Sequence, residues 1–388
     1  MGEVKKIKKR KICVLSGKRG GFGALIPTMQ LIESDPDLEF SLVVTDQHLY
    51  HHFGYTVKEV EKWFKVMYKV DMEQNNGTPR GRAKAIGVCL TKITDILSEI
   101  SPDIVVILGD RGEVLATAIA AINLGIPIAH IQGGDISGSI DEMVRHAVTK
   151  LSHIHLVSTE QSARRVIGLG EEPWRVHIVG DPHIDMILQG KCASIEEIHK
   201  NFNINANDEA IVVLQHSVST EPGLAYNQMK ITMEAVTSFN KRTIVVYPCS
   251  DQGYEGIVKA IYEFESYPNV SIYKNIDAPL FWGLLSISKT LVGNSSAGLI
   301  ETPYFRIPSI NIGKRQTGRQ HAENVIHVDH DLKAIKDAIE KALYDKSFSN
   351  VVQKCSRPYG DSPACEKIVR ILKKVELNER LMEKRMTY

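Results

Sequence analysis

The 388-residue sequence has no long apolar run, no excess of either charge, no closely paired cysteines and no internal repeat. Each absence excludes a class. No apolar stretch approaches the ~18 residues of a membrane span, so no membrane partner is expected. Lys and Arg number 47 against 46 Asp and Glu, leaving a net charge of +1. No global field therefore draws the chain to nucleic acid. Cys13, Cys89, Cys192, Cys249, Cys355 and Cys365 include no C-x-x-C pair and read as free thiols of a reducing cytoplasm. The sequence holds no metal-ligand cluster, so no metal site is expected. The basic N-terminus is followed only by the short apolar Ile12–Leu15. It reads as a solvated lead-in to the first strand, not a targeting segment.

What is present is ordinary for a globular protein, at 43% hydrophobic and 24% charged residues. The length implies two or three domains at ~150 residues each. Short, continuous apolar runs alternate with helical patterns: Ile12–Ser16, Phe40–Thr45, Ile104–Leu108, Ile128–Ile131 and His155–Ser158 read as strands. A second series follows, with Ala210–Leu214, Thr243–Tyr247, Val270–Tyr273, Thr290–Val292 and Ser309–Ile312. Strands without polar alternation are covered on both faces, which predicts an α/β chain of two doubly wound, Rossmann-like domains. The boundary falls near Pro182–Ser194, giving domains of 1–185 and 186–365 and a final helical stretch of 366–388. Ligands of such sheets bind beyond the carboxyl ends of the strands, and the cleft between the domains is the default site.

The residues at those strand ends carry the chemistry. Gly17-Lys18-Arg19-Gly20-Gly21-Phe22-Gly23 departs from G-x-G-x-x-G, which disfavours a dinucleotide held with Asp46. A plain turn and an anion site, with Arg19 gripping phosphate oxygens, both fit. Asp110-Arg111-Gly112-Glu113 suits either a capped helix start or a pair of working acids. Gln132-Gly133-Gly134-Asp135 leads to Asp141 and Glu142, which stand four residues before Arg145 and His146, the spacing of helix-surface ion pairs. His216, after Ala210–Leu214, is either a proton-transfer group or a satisfied core residue. In Asn294-Ser295-Ser296-Ala297-Gly298, two hydroxyls open a helix as a diphosphate cradle would. Glu301 is placed to accept ribose hydroxyls, Arg315 to add positive charge, and Phe281 to stack a base or to serve the core.

These motifs resemble the hydrolysing UDP-N-acetylglucosamine 2-epimerases of sialic- and legionaminic-acid-type biosynthesis. The similarity runs through Gly109-Asp110-Arg111, His130–Gly134, Ser137–Glu142, Arg145–Leu151, Gln215–Val218, Gly293–Ser296, Asn311–Arg319 and Tyr359–Asp361. The resemblance implies a glycosyltransferase-B-like fold whose last helix returns to the first domain. It also implies a cytoplasmic homodimer or homotetramer without cofactor. The implied reaction is loss of the C2 proton with departure of the nucleoside diphosphate, then addition of water to the glycal. It assigns acid–base work to Asp110, Asp141, Glu142 and His216. Arg19, Ser295 and Ser296 would hold the diphosphate, Glu301 the ribose, and His48 a less defined part of the nucleotide site. Gln132 stands where many relatives carry a carboxylate, so Asp135 is the nearest substitute base. A second departure, Arg19-Gly20-Gly21-Phe22 where relatives often carry Arg-Ala-Asp/Glu-Tyr, points to a modified sugar, such as an N,N′-diacetylbacillosamine nucleotide, with UDP expected and GDP open. A glycosyltransferase, a non-hydrolysing epimerase and a nucleotide-sugar sensor are the alternatives.

Overall fold

The structure is a computed structural model that describes residues 9–51, 54–74, 79–136, 140–205, 208–218, 220–248 and 253–388, without the side chains of Arg19, Pro79 and Ile140. The basic N-terminal run through residue 8, Ser137–Ser139 and Cys249 lie outside the described residues. The chain divides into two compact units, one of residues 1–135, 140–185 and 359–388, the other of 136–139 and 186–358.

The first unit is built on β1 (Arg10–Ser16), β2 (Leu38–Thr45), β3 (Tyr68–Val70), β4 (Ile104–Leu108), β5 (Ile128–Ile131), β6 (Ile154–Val157) and β7 (Val176–Ile178). They form one sheet in the order β3-β2-β1-β4-β5-β6-β7, with every pairing parallel. Successive residues of a strand face opposite sides. Val14, Val44, Val106 and Leu156 pack with Met29 and Ile368, whereas Leu15, Val43, Val105 and Ile107 pack with Ile93 and Leu97. This two-sided burial is why the strands are unbroken apolar runs.

The second unit repeats the plan with β8 (Ile211–Leu214), β9 (Thr243–Val246), β10 (Val270–Tyr273), β11 (Thr290–Gly293), β12 (Ser309–Ile312) and β13 (Val325–Val328). Its order is β10-β9-β8-β11-β12-β13, again parallel throughout. Both sheets reverse their winding beside the first strand, between β1 and β4 and between β8 and β11, the ligand-binding position of such sheets.

Two elements differ from expectation. The glycine-rich stretch after β1 is not a loop but the opening of helix Arg19–Ser34. The helix that Ser295 and Ser296 are expected to open is two single turns, Ala297–Ile300 and Thr302–Phe305, interrupted at Glu301 ahead of Pro303.

The C-terminal stretch is also two pieces, Ala364–Lys374 and Glu379–Met382. The first is capped by Asp185, whose carboxylate accepts from the N–H groups of Ala364 at 2.6 Å and Cys365 at 2.7 Å. The second is held by the buried Arg175 guanidinium, which donates to the carbonyls of Leu381 at 2.7 Å, Arg380 at 2.8 Å and Glu383 at 3.0 Å.

Buried histidines of this chain resist protonation. Burial lowers His48 to about 4 and His130 to about 3. Burial, aided by Lys384 and Arg175, lowers His153 to about 4, and burial with Arg315 lowers His216 to about 3. Each folded value lies below that of the unfolded chain, so the stability they contribute is complete above pH ~6.5 and is lost as pH falls toward 4, at ~1.4 kcal/mol per group per pH unit. The urea midpoint is therefore expected to drop steeply between pH 7 and pH 5; a flat profile contradicts this burial. Arg175→Met strands the Leu381, Arg380 and Glu383 carbonyls and that of His153, and is expected to destabilise the chain by on the order of 3 kcal/mol. Limited proteolysis should then cut the segment after Lys374 first.

Candidate functional site

In the first unit, acids and guanidinium groups collect at the carboxyl ends of the strands. Asp46 follows β2, Asp110 and Glu113 follow β4, and Gln132 and Asp135 follow β5. Arg111 binds Asp46 at 2.6 Å and Glu113 at 3.1 Å. Gly17 makes room for this, because a Cβ there would lie 2.3 Å from the Glu113 carboxylate. Burial raises the Glu113 carboxyl; Arg111 opposes that rise and Asp46 adds to it. Asp110 pairs with Arg145, which also donates to the Asp135 carbonyl at 2.7 Å.

Arg145 thus leaves the expected surface pairing with Asp141 and turns inward. Asp141 is exposed but contributes to the field at Arg111, so it belongs to the same cluster. Glu142 lies 3.6 Å from His146, as the spacing predicts. The sequence passes over Asp46 as an acid here and leaves Glu113 open between a helix-start residue and a working acid. The only available signal was their position at strand ends.

Gln132 has φ +65° and donates its amide N–H to both oxygens of Asp181, at 3.1 and 2.9 Å. Asp181 also accepts from the His183 ring Nδ1 at 2.8 Å and from its backbone N–H at 2.9 Å. Burial drives the Asp181 carboxyl upward, yet His183 and Gln132 together hold it at about 2. Asp135 does not stand in for Gln132: it is 4% exposed and accepts the Ser162 hydroxyl at 2.6 Å. His48 is fully buried, its ring nitrogens 2.9 Å from the Ser16 hydroxyl and 2.8 Å from that of Thr56. It supports the end of β1 rather than facing solvent. The Arg19 side chain lies outside the described residues.

In the second unit, Asn294 locks two neighbouring strand ends together. Its side chain accepts from the His216 N–H at 2.7 Å and donates to the His216 carbonyl at 2.9 Å. Gly293 permits that approach, since a Cβ would overlap the Leu214 carbonyl at 2.1 Å. The Asn294 carbonyl accepts from Arg315 at 3.2 Å and Gln316 at 3.0 Å, which brings Arg315 to the turn. Ser295 is 9% exposed and its hydroxyl accepts from the Ala297 N–H at 3.3 Å; Ser296 is half-buried. The single helical turn behind them offers N–H groups with little dipole.

His216, lowered by burial and by Arg315, is neutral at pH 7 and resists taking a proton. Glu301 accepts from the Trp282 indole N–H at 3.0 Å, which fixes one carboxylate oxygen. Phe281, half-buried, packs on the core. Gly298 serves packing: a Cβ would lie 2.4 Å from the Ser309 hydroxyl. Among the described residues, no group of three or more His, Cys, Asp or Glu could hold a metal ion, and no helix is long and apolar enough to cross a membrane.

Comparison with known proteins identifies the family and the fold. The UDP-N-acetylglucosamine 2-epimerase family profile matches residues 30–373. A UDP-N,N′-diacetylbacillosamine 2-epimerase (hydrolyzing) of Legionella pneumophila is 34% identical, with 98% of this chain and 100% of that protein covered. A UDP-N-acetylglucosamine 2-epimerase of Neisseria meningitidis is 36% identical over 86% of this chain and 87% of that protein. A GDP/UDP-N,N′-diacetylbacillosamine 2-epimerase (hydrolyzing) of Campylobacter jejuni is 30% identical over 88% of this chain and 89% of that protein. In fold, the chain matches the crystal structure of UDP-GlcNAc 2-epimerase from Neisseria meningitidis bound to UDP-GlcNAc with a TM-score of 0.82 at 19% identity, covering 94% of this chain and 100% of that one. With its two three-layered parallel sheets and its strand-end motifs, this chain belongs to the UDP-N-acetylglucosamine 2-epimerase family.

Proposed function

We propose that this chain is a hydrolysing nucleotide-sugar 2-epimerase. It converts a UDP-linked sugar, with GDP as the alternative, into the free 2-epimeric mannosamine-type sugar and the nucleoside diphosphate. The observation that carries the reading is the acid–guanidinium cluster of Asp46, Asp110, Glu113, Arg111 and Arg145 at the strand ends of the first unit. It occurs in a chain related over its whole length to a hydrolysing 2-epimerase. The diacetylbacillosamine relatives from two genera, together with the acid missing from Arg19-Gly20-Gly21-Phe22, favour N,N′-diacetylbacillosamine over N-acetylglucosamine as the sugar.

In this reading the labour is divided. The second unit holds the nucleotide, with Ser295, Ser296 and Arg315 on the diphosphate and Glu301 on the ribose. Asp110, Asp141, Glu142 and Glu113 of the first unit handle protons around the sugar, and His216 of the second serves as a neutral hydrogen-bonding group. The C2 proton is weakly acidic, so its removal needs stabilisation of the departing diphosphate at the same moment. Arg111 and Arg145 keep several carboxylates stable in close quarters without neutralising the site as a whole. The resemblance also carries a cytoplasmic homodimer or homotetramer serving sialic- or legionaminic-type synthesis.

The test is incubation in heavy water with UDP-N-acetylglucosamine and with UDP- and GDP-linked N,N′-diacetylbacillosamine. Free sugar with deuterium at C2 is expected. A sugar still bearing its nucleotide indicates a non-hydrolysing epimerase, and transfer to an acceptor without deuterium indicates a glycosyltransferase. Asp110→Asn should leave UDP affinity nearly unchanged and lower turnover ~10²-fold or more, measured on folded protein. Changing Ser295 and Ser296 together to Ala should instead weaken UDP binding in calorimetry before it affects the chemical step.

A further inference from the structure

We propose that Lys384 is a positioning residue for Asp110 and acts through the helix Ile140–Leu151, whose C-terminal end it caps. This rests on the epimerase reading and deepens it with a residue outside the family motifs named above. The last carbonyls of a helix lack partners within it, and a cation beside them also meets the negative end of the helix dipole. The Lys384 ammonium donates to the carbonyls of Lys150 at 2.7 Å and Ser152 at 2.6 Å. It also binds the Glu171 carboxylate at 2.7 Å, and the Thr149 carbonyl lies farther off at 3.4 Å. An ammonium has three N–H groups, and the three short contacts use them all.

Glu171 makes this cap rigid. It is 1% exposed and accepts from Lys150 at 2.6 Å and from the buried His155 ring at 2.9 Å. Burial pushes its carboxyl upward, yet His155, Lys150 and Lys384 hold it at about 2. The helix, the strand β6 and the C-terminal segment therefore meet on one ionised carboxylate. The backbone that carries Lys384 is itself fixed, because Arg175 donates to the adjoining Glu383 carbonyl at 3.0 Å.

The same helix bears on Asp110 by two routes. Arg145 pairs with the Asp110 carboxylate. Thr149, one turn further along the same face, places its hydroxyl 3.4 Å from His130 Nδ1. His130 Nε2 in turn donates to the Gly109 carbonyl at 2.7 Å. A carbonyl only accepts, so the ring proton is on Nε2 and Nδ1 is the acceptor facing Thr149. Gly109, at φ +83°, forms the turn that delivers Asp110. Both the carboxylate and the backbone behind it are thus set by one helix, and an axial shift of that helix moves both contacts together. Lys384 is what holds the helix at its far end. Reacting groups tolerate little misplacement, since ~1 Å can lower a rate ~10²-fold.

Lys384→Met keeps the length of the side chain and removes the cation. On the nucleotide sugar that the wild-type protein turns over, kcat is expected to fall ~10-fold or more. KM and UDP affinity should stay within about threefold. The discriminating measurement is a double-mutant cycle with Asp110→Asn. If Lys384 acts through Asp110, its loss lowers the rate little further in a chain that already lacks that carboxylate. The double variant is then expected to fall ~10²-fold, as Asp110→Asn does alone. A purely structural role gives independent losses that multiply. Lys384→Gln, which retains N–H donors, should lose less than Lys384→Met, and it carries the same cycle if the Met variant does not bind UDP. A kcat for Lys384→Met within about twofold of wild type overturns the proposal, as do losses that multiply in the cycle. A Gln variant that also fails to bind UDP shows a cap needed for folding alone and overturns it too. If the wild-type protein releases sugar from no nucleotide sugar, the epimerase reading itself fails and this assignment with it.

Discussion

The first unit depends on one constraint: acids crowded at the carboxyl edge of a parallel sheet must each find a cation or an N–H donor. Asp46, Asp110, Glu113 and Asp181 are buried or nearly so, and an isolated carboxylate in such a place would not stay charged. Arg111 serves two of them, Arg145 serves a third, and Asp181 relies on an imidazole and an amide. Removing any one donor leaves a buried charge uncompensated, so the cluster is stable only as a set. The same arrangement grades the acids chemically. Burial pushes Glu113 toward its protonated form against the pull of Arg111, and Asp181 is kept ionised behind a ring.

The second unit solves a neutral version of that problem. Asn294 makes a reciprocal pair of hydrogen bonds to the backbone of His216, which bolts the end of β8 to the turn after β11. Arg315 and Gln316 then secure the Asn294 carbonyl from the far side. The two serines and the following N–H groups are thereby presented on a rigid support, as a site that must not reorganise when a diphosphate arrives requires.

Legibility in the sequence follows from how each feature is held. β1, β4, β5, β8 and β12 were readable because helices cover both faces and the strands are unbroken apolar runs. β3, β7 and β13 were not: they are short, lie at sheet edges and retain exposed positions, such as Ile178 at 49%. Asp110, Asp141, Ser295 and His216 stood out because they end strands or open helices. Asp181 and His183 did not, since they lie 49 and 51 residues from Gln132 and form no local pattern with it. His48 and Asp135 stood out as candidates, yet folding turned both inward to hydroxyl partners.

By itself, the sequence determined the alternation of strand and helix, the doubled Rossmann-like plan and the family motifs, because periodicity and turn chemistry are local properties of the chain. Only the tertiary structure decided which acid meets which cation. Arg145 stands four residues from Asp141, yet it pairs with Asp110, 35 residues away. The reason is physical: a long guanidinium is claimed by the carboxylate that burial has deprived of water, not by the exposed one nearest in the chain.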